Sequence, residues 1–155
     1  MSVAKQLALH LEKLHFGGSY TGPSLTELLA DIDWQQAVRK EGDVHSIAEL
    51  LYHIHYYVAI VLRVMQGGPL EGSDRYSYDL PPIADARDWE ALKEVVWRDA
   101  RTFAAVLSGW TDEQLSAPFD DGKYGDFLRN ILTILEHSQY HTGQISLLRK
   151  KWRTA

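Results

Sequence analysis

Two histidines stand four residues apart near the end of the chain, in the segment EHSQYHTGQI from Glu136 to Ile145. If this segment is helical, His137 and His141 share a face, with β-carbons roughly 5–6 Å apart. Both imidazoles can then reach one ion, and neutral imidazole is a common ligand for zinc, nickel, copper and iron. The pair is not the zinc-protease motif H-E-x-x-H, since Ser138 stands where the glutamate would be. The spacing therefore suggests metal binding and disfavours a metalloprotease.

A third ligand must come from another helix, because a catalytic zinc centre takes three protein ligands and keeps a position for water or substrate. The second long apolar segment offers His45, His53 and His55. His45 lies at its entrance. His53 and His55 are about 200° apart on a helical wheel, so they cannot point to the same place. Both flank the apolar stripe, and periodicity leaves the choice between them open.

The same histidines have an interpretation without a metal. An H-x-x-x-H pair is a short pattern that occurs by chance in many helices. Histidines at the edge of a core can also hydrogen-bond to the backbone or to solvent. A helical interaction protein with polar groups at its core edge is the alternative that this pattern allows.

Four long segments have helical periodicity, and glycines follow the first three. They are residues 2–16, 44–66, 88–108 and 126–151. Glycine is a common helix stop because it adopts the left-handed conformation without strain. Two shorter helices are predicted in PSLTELLADI and in TDEQLSA, where Thr111 and Gln114 form a capping-box pattern. With no alternating strand pattern, the sequence predicts an all-α bundle of four long helices.

The fourth segment has a predicted buried stripe, which His137 and His141 flank. The stripe consists of Phe127, Ile131, Ile134, Leu135, Ile145 and Leu148. Tyr57 and Gln144 could line a pocket beside these histidines. Glu49 and Glu136 are candidates for orienting an imidazole N–H.

The connection Gly67 to Arg87 is rich in Gly, Pro and Asp and must cross from the second long helix to the third. A loop of this length is usually functional or mobile. Asp74, Arg75 and Tyr76 within it are candidates for meeting a substrate, and a pocket is expected beneath it.

Composition narrows the function classes. The 155 residues are 45% hydrophobic and 24% charged, with net charge −5 and no cysteine. We expect a single domain over residues 1–155, without disulfides, cysteine-ligated zinc or a cysteine nucleophile. Apart from the tail RKKWR there is no basic cluster, so no nucleic-acid partner is expected. The N-terminal stretch is amphipathic and no continuous apolar run of about 18 residues occurs, so we expect no signal peptide, no membrane and a cytoplasmic location.

The stretches HSIAELLYHIHYY and ILEHSQYHTGQISLLRK resemble the DinB-like (YfiT-like) metal-dependent enzymes. The resemblance covers nearly the whole chain and includes GPSLTELLADIDWQQA and TDEQLSAPF. It implies an up-down-down-up four-helix bundle, with a long crossover between the second and third long helices. It also implies a divalent metal held by three histidines, which are His53, His137 and His141 in this sequence. The resemblance thus selects His53 over His55.

The resemblance further implies a small-molecule enzyme, either a thiol S-transferase or a hydrolase, that forms a homodimer. Zinc or nickel is the expected metal, and a low-molecular-weight thiol is a candidate cosubstrate. Two alternatives remain open, namely a metal-binding module without catalysis and a helical interaction or dimerisation protein. Fold alone does not choose among them.

Overall fold

Helices dominate the structure, a computed structural model that describes residues 1–154. In chain order they are α1 (Val3–Phe16), α2 (Leu25–Leu29), α3 (Trp34–Val38), α4 (Ile47–Met65), α5 (Ala86–Ser108), α6 (Asp112–Leu115) and α7 (Phe127–Thr154). A short 3₁₀ helix, Asp74–Tyr76, lies between α4 and α5. Within the described part of the chain, strand-like pairing is limited to two isolated bridges. The predicted all-α class is confirmed.

The helix starts follow their capping residues more closely than their hydrophobic periodicity. Ser46 caps α4, so this helix begins at Ile47, three residues later than predicted. Asp85 caps α5 by accepting from two backbone N–H groups, and that helix begins at Ala86, two residues earlier than predicted. A side-chain acceptor that satisfies the free N–H groups of the first turn fixes the boundary where periodicity is ambiguous.

The short helix α3 was not predicted. It begins after Asp33, which forms a capping box with Gln36. The same pattern correctly located α6, where Thr111 pairs with Gln114. The sequence DWQQ therefore carried the required signal.

The helix ends agree only in part with the glycine argument. Gly67, just beyond α4, has φ +82° and so adopts the left-handed conformation. Gly109, which caps α5, has φ −88°. The left-handed explanation is therefore wrong at Gly109, where the chain turns in a conformation open to other residues.

The four long helices pack in a closed ring of neighbours, α1 on α5, α5 on α4, α4 on α7 and α7 on α1. One hydrophobic core fills the ring, and Leu11, Leu51, Phe103 and Ile131 are almost fully buried in it. Burial of each such side chain contributes about 1.5–3 kcal/mol. This packing holds α4 and α7 side by side along the face that carries the histidines.

The helix α4 is long and apolar enough to cross a membrane by length and composition, although its sequence has no unbroken apolar run. About half of the most apolar window, 56%, is buried inside the protein. The core helix of a soluble protein meets the same criterion, and the packing of α4 on α5 and α7 agrees with that role.

Candidate metal centre

Three histidines converge between α4 and α7. His53 comes from α4, and His137 and His141 come from successive turns of α7. One ring nitrogen from each lies within 4.8 Å of the others, and the ring centroids are 4.5–4.8 Å apart. His53 and His141 are each only 7% exposed. The helical spacing and the packing of the two helices together bring the three residues into one cluster.

Two of the three imidazoles are oriented by acceptors on the protein. The Nδ1–H of His53 donates to the carbonyl oxygen of Ser77 at 3.2 Å. The Nδ1–H of His141 donates to Oε1 of Gln144 at 2.6 Å. The backbone carbonyl of Ser77 can only accept, so Nδ1 of His53 carries the proton, and Nδ1 of His141 does so with the Gln144 amide in the orientation of this structure. The Nε2 lone pairs are therefore left for another partner.

His137 differs from the other two because its Nδ1 is buried without a hydrogen-bond partner. Its Nε2 lies 3.0 Å from Nε2 of His53. Burial, with the neighbouring His141 and His53, lowers the pKa of His137 to about 4. Burial also lowers the pKa of His53, against the opposing effect of the Ser77 carbonyl. Both rings are thus neutral at pH 7, which is the form that binds metals.

The donor set fits a divalent metal. Nitrogens bound to one zinc at about 2.0–2.1 Å with tetrahedral angles lie about 3.3 Å apart. The His53–His137 pair, at 3.0 Å, is close to this spacing, whereas the set of three spreads to 4.8 Å and would have to contract around an ion. Metal-ligating histidines almost always donate their other N–H to a carbonyl, carboxylate or water, as His53 and His141 do here. The 3.0 Å contact also matches a hydrogen bond from an Nε2–H of His137 to His53, so this distance alone agrees with both interpretations.

The loop between α4 and α5 covers the cluster. Tyr78 stacks on His53 with centroids 3.9 Å apart, and it also stacks on His45, with centroids 3.8 Å apart. Ser77, whose carbonyl accepts from His53, is buried, and its hydroxyl donates to the carbonyl of Asp74. The orientation of His53 therefore depends on the loop being folded.

Tyr57 stands beside the cluster, one turn after His53 on α4. Its ring is edge-on to His53 and His137, with centroids 5.2 and 4.9 Å away. Its hydroxyl donates to Oδ1 of Asp74 at 2.6 Å. Burial and this carboxylate raise the pKa of Tyr57 to about 12, so the phenol keeps its proton at neutral pH.

A cavity of about 300 Å³ adjoins the cluster through Tyr57. It lies between α4 and the first half of α7, and the two loops that precede α5 and α7 border it. Its lining consists of Tyr57, Ile60, Val61, Leu70, Gly72, Ser73, Asp74, Phe119, Tyr124, Asn130, Thr133 and Ile134. The structure thus contains the pocket expected beneath the long loop.

Other predicted site residues lie elsewhere. His55 points to α5, where its Nε2 is 2.7 Å from Oδ2 of Asp99, so it is outside the cluster. His45 contacts Glu49, and the stacked ring of Tyr78 lies between His45 and His53. The hypothesis that Glu49 orients a ligand imidazole is wrong, because Glu49 binds Lys40 and closes the capping box of α4 instead.

Of the other predicted pocket and substrate residues, some line the cavity and some do not. Tyr57 and Asp74 line the cavity as expected, whereas Arg75, Tyr76 and Glu136 are exposed. Gln144 contacts His141 rather than the cavity. The contributions of Ser77 and Tyr78 were not predicted. A backbone carbonyl has no sequence signature, and only the length of the loop hinted at its role.

An all-α protein with three clustered imidazoles beside a cavity is a candidate metalloprotein of the His₃ type. A family model for the DinB superfamily matches residues 21–145, a range that contains all three histidines. The chain therefore belongs to the DinB superfamily. Comparisons with curated proteins and with solved structures gave no match.

Proposed function

We propose that this protein is a metal-dependent enzyme acting on a small molecule, with a divalent metal, zinc or nickel, held by His53, His137 and His141. One observation carries the proposal: three imidazole nitrogens from two helices converge within 4.8 Å. Two of the imidazoles have their remote nitrogens committed to protein acceptors. Superfamily membership agrees with a metal-binding role.

The reaction we propose is thiol S-transfer or hydrolysis. A divalent metal on three histidines supplies Lewis acidity, which makes a bound thiol or water more acidic. The protein contributes position. Ser77 and Gln144 fix the ring orientations of His53 and His141, and Asp74 fixes the Tyr57 hydroxyl. In the transferase reaction a low-molecular-weight thiol cosubstrate supplies the sulfur, and a chain without cysteine is compatible with this.

A second candidate is a helical metal-binding or interaction protein without catalysis. The 3.0 Å contact between His137 and His53 favours it, because one neutral imidazole can donate to the other without any metal. In this alternative the cluster only stabilises the packing of α7 on α4.

We also propose an up-down-down-up bundle and a single domain over residues 1–155. The closed ring of helix contacts and the long connection over residues 66–85 support the bundle. The single core supports one domain. We further propose that the protein is cytoplasmic, forms a homodimer and has neither a nucleic-acid nor a membrane partner. The net charge of −5 supports the proposal that it does not bind nucleic acid.

The first experiment is metal analysis by ICP-MS on untagged protein after reconstitution and desalting. We expect about one zinc or nickel per chain in the wild type, and less than a tenth of that in His53→Ala and His141→Ala. His55→Ala is the matched control, since it removes an imidazole from the same helix outside the cluster. Circular dichroism checks that the variants remain helical.

If the chain binds no zinc, nickel or manganese, the metalloenzyme proposal is wrong and the helical interaction protein is the remaining candidate. With metal bound, thiols paired with electrophiles and small esters are the substrates to screen. If the wild type turns over a substrate and His141→Ala does not, the result would support a catalytic role for the metal site. A metal-loaded chain inactive in both screens would favour the metal-binding module.

A further inference from the structure

The cavity beside the histidines has an uneven chemical character. Most of its lining is apolar and comes from α4, α7 and the two covering loops, with Ile60, Val61, Phe119 and Ile134 as examples. At about 300 Å³ and native packing density, it has room for roughly ten to twelve non-hydrogen atoms. A pocket of this size and lining buries the apolar body of a small molecule.

The polar groups of the lining are mostly used by the protein itself. The side-chain amide of Asn130 donates to the carbonyls of Tyr124 and Asp126, and the hydroxyl of Thr133 donates to the carbonyl of Arg129. These side chains hold the local backbone, so their capacity to bind a ligand is reduced. The recognition that remains is mainly apolar.

Asp74 is the one charged residue of this lining. It is exposed, and one of its carboxylate oxygens accepts from Tyr57. A carboxylate has about four acceptor positions, so it can take a donor from a ligand as well. Among the described residues, no lysine or arginine lines the cavity to balance an anion there.

Tyr57 connects the cavity to the histidines. It lines the cavity and is also edge-on to His53 and His137. Ile134, another lining residue, lies one turn before His137 on α7. A molecule whose body fills the cavity therefore has its polar end beside Tyr57 and Asp74, next to the cluster.

We propose that this cavity is the binding site for the apolar part of the substrate and that Asp74 selects uncharged or cationic molecules over anionic ones. This inference rests on the proposed function, because it assigns the substrate class of the same site. It makes the cavity the subsite of an uncharged or amine-bearing electrophile or ester, rather than of an anionic one.

The test uses three probes of similar size, 2-phenylethylamine, 2-phenylethanol and phenylacetate. Each is titrated into isotope-labelled protein by NMR, in metal-free and in zinc-loaded samples. In the metal-free wild type we expect the amine to bind about three- to tenfold more tightly than the alcohol, and phenylacetate to bind most weakly. Shifts should centre on the signals of Val61, Phe119 and Ile134.

Two variants separate shape from charge. Thr133→Trp, at the exposed rim, should fill the cavity and weaken all three probes at least tenfold. Leu132→Trp, on the exposed neighbouring position, is the matched control and should leave binding unchanged. Asp74→Asn should keep the binding of the alcohol and bring the amine to within twofold of it.

The outcomes distinguish this inference from the proposed function. Probe binding that is insensitive to Thr133→Trp, or absent in a chain that binds zinc, overturns the cavity assignment alone. An amine preference that survives Asp74→Asn overturns the role of Asp74. If the probes bind in the cavity of a chain that takes up no metal, the binding site is supported and the proposal of a metal-dependent enzyme is overturned.

Discussion

His53 and His55 lie two residues apart on α4, and their surroundings differ in kind. His53 faces α7 and meets two other imidazoles and a backbone carbonyl. His55 faces α5 and meets the carboxylate of Asp99, which also accepts from Arg98 at 2.9 Å. A carboxylate accepts an imidazole N–H directly, whereas His53 and His141, whose Nδ1–H groups donate to Ser77 and Gln144, have only their Nε2 lone pairs left to offer. The surroundings of His53 therefore suit a bound cation, and those of His55 suit a fixed contact between α4 and α5.

His15 of α1 lies near enough to His55 for the two imidazoles to interact electrostatically. With His55 and Asp99 it forms what we call the inner polar group. His15 is fully buried, and its Nδ1–H donates to the carbonyl of Leu11 at 2.8 Å. Its Nε2 has no hydrogen-bond partner. Burial, with a smaller effect from His55, lowers the pKa of His15 to about 4.

The largest predicted effect is a loss of folding stability in acid, when His15 of the inner polar group becomes protonated. The unfolded state takes up a proton on His15 near pH 6.5, whereas the folded state resists protonation until about pH 4. The unfolded state thus binds more protons in this window, so stability falls as the pH is lowered from 6.5 towards 4. At 1.36 kcal/mol per pKa unit, His15 should account for a loss of about 3 kcal/mol.

Urea denaturation of metal-free protein at pH 7 and pH 4.5 measures most of this loss. His15→Phe should remove the His15 contribution to this pH dependence, and it keeps a ring beside Trp97. His10→Ala, which changes an exposed histidine of the same helix, should behave as the wild type. An unchanged pH slope in His15→Phe would show that His15 does not govern the acid sensitivity.

The second prediction tests whether the two sides of α4 are independent. Asp99→Asn leaves the partly buried His55 without its carboxylate, and we expect about 2 kcal/mol of destabilisation in urea at pH 7. Zinc affinity should stay within about twofold, because sites without shared partners are nearly additive.

Glu136→Gln is the matched control for this change. Glu136 is exposed and adjacent to His137 in sequence, so both stability and zinc affinity should change little. If Asp99→Asn weakens zinc binding strongly, the inner polar group and the histidine cluster form one coupled network, and the contrast between His53 and His55 fails.

The sequence predicted one half of this contrast better than the other. The spacing of His137 and His141 follows from helical geometry, and the structure places both in the cluster. The choice between His53 and His55 depends on which helix packs on each side of α4. Helical periodicity describes one helix and contains no information about its neighbours, so that choice came from the family resemblance.

The fold shows the same limit. Long apolar segments and capping residues predicted the four long helices and two of the short ones, with errors of a few residues at their ends. The partner of His53 could not be predicted, because any loop residue can offer a carbonyl. The placement of Ser77 depends on the path of the whole loop, including the stacking of Tyr78 between His45 and His53.

The smallest predicted effect concerns the histidine cluster itself and the hydrogen bond that orients His141. Gln144→Leu removes the acceptor of the His141 Nδ1–H and frees that ring to change tautomer. Loss of such an outer partner costs about 10–100-fold in metal affinity. Because Gln144 is exposed and water can replace it, we expect about tenfold, with unfolding free energy changed by less than about 0.5 kcal/mol.

Competition titration with a zinc chelator measures this affinity. Gln144→Glu keeps an acceptor for His141 and should bind zinc at least as tightly as the wild type. Gln139→Leu makes the same change elsewhere on α7 and should leave the affinity unaltered. If Gln144→Leu and Gln139→Leu bind zinc equally well, the hydrogen bond to His141 is incidental, and His141 is then held for the metal by packing alone, unlike His53 with its buried carbonyl partner.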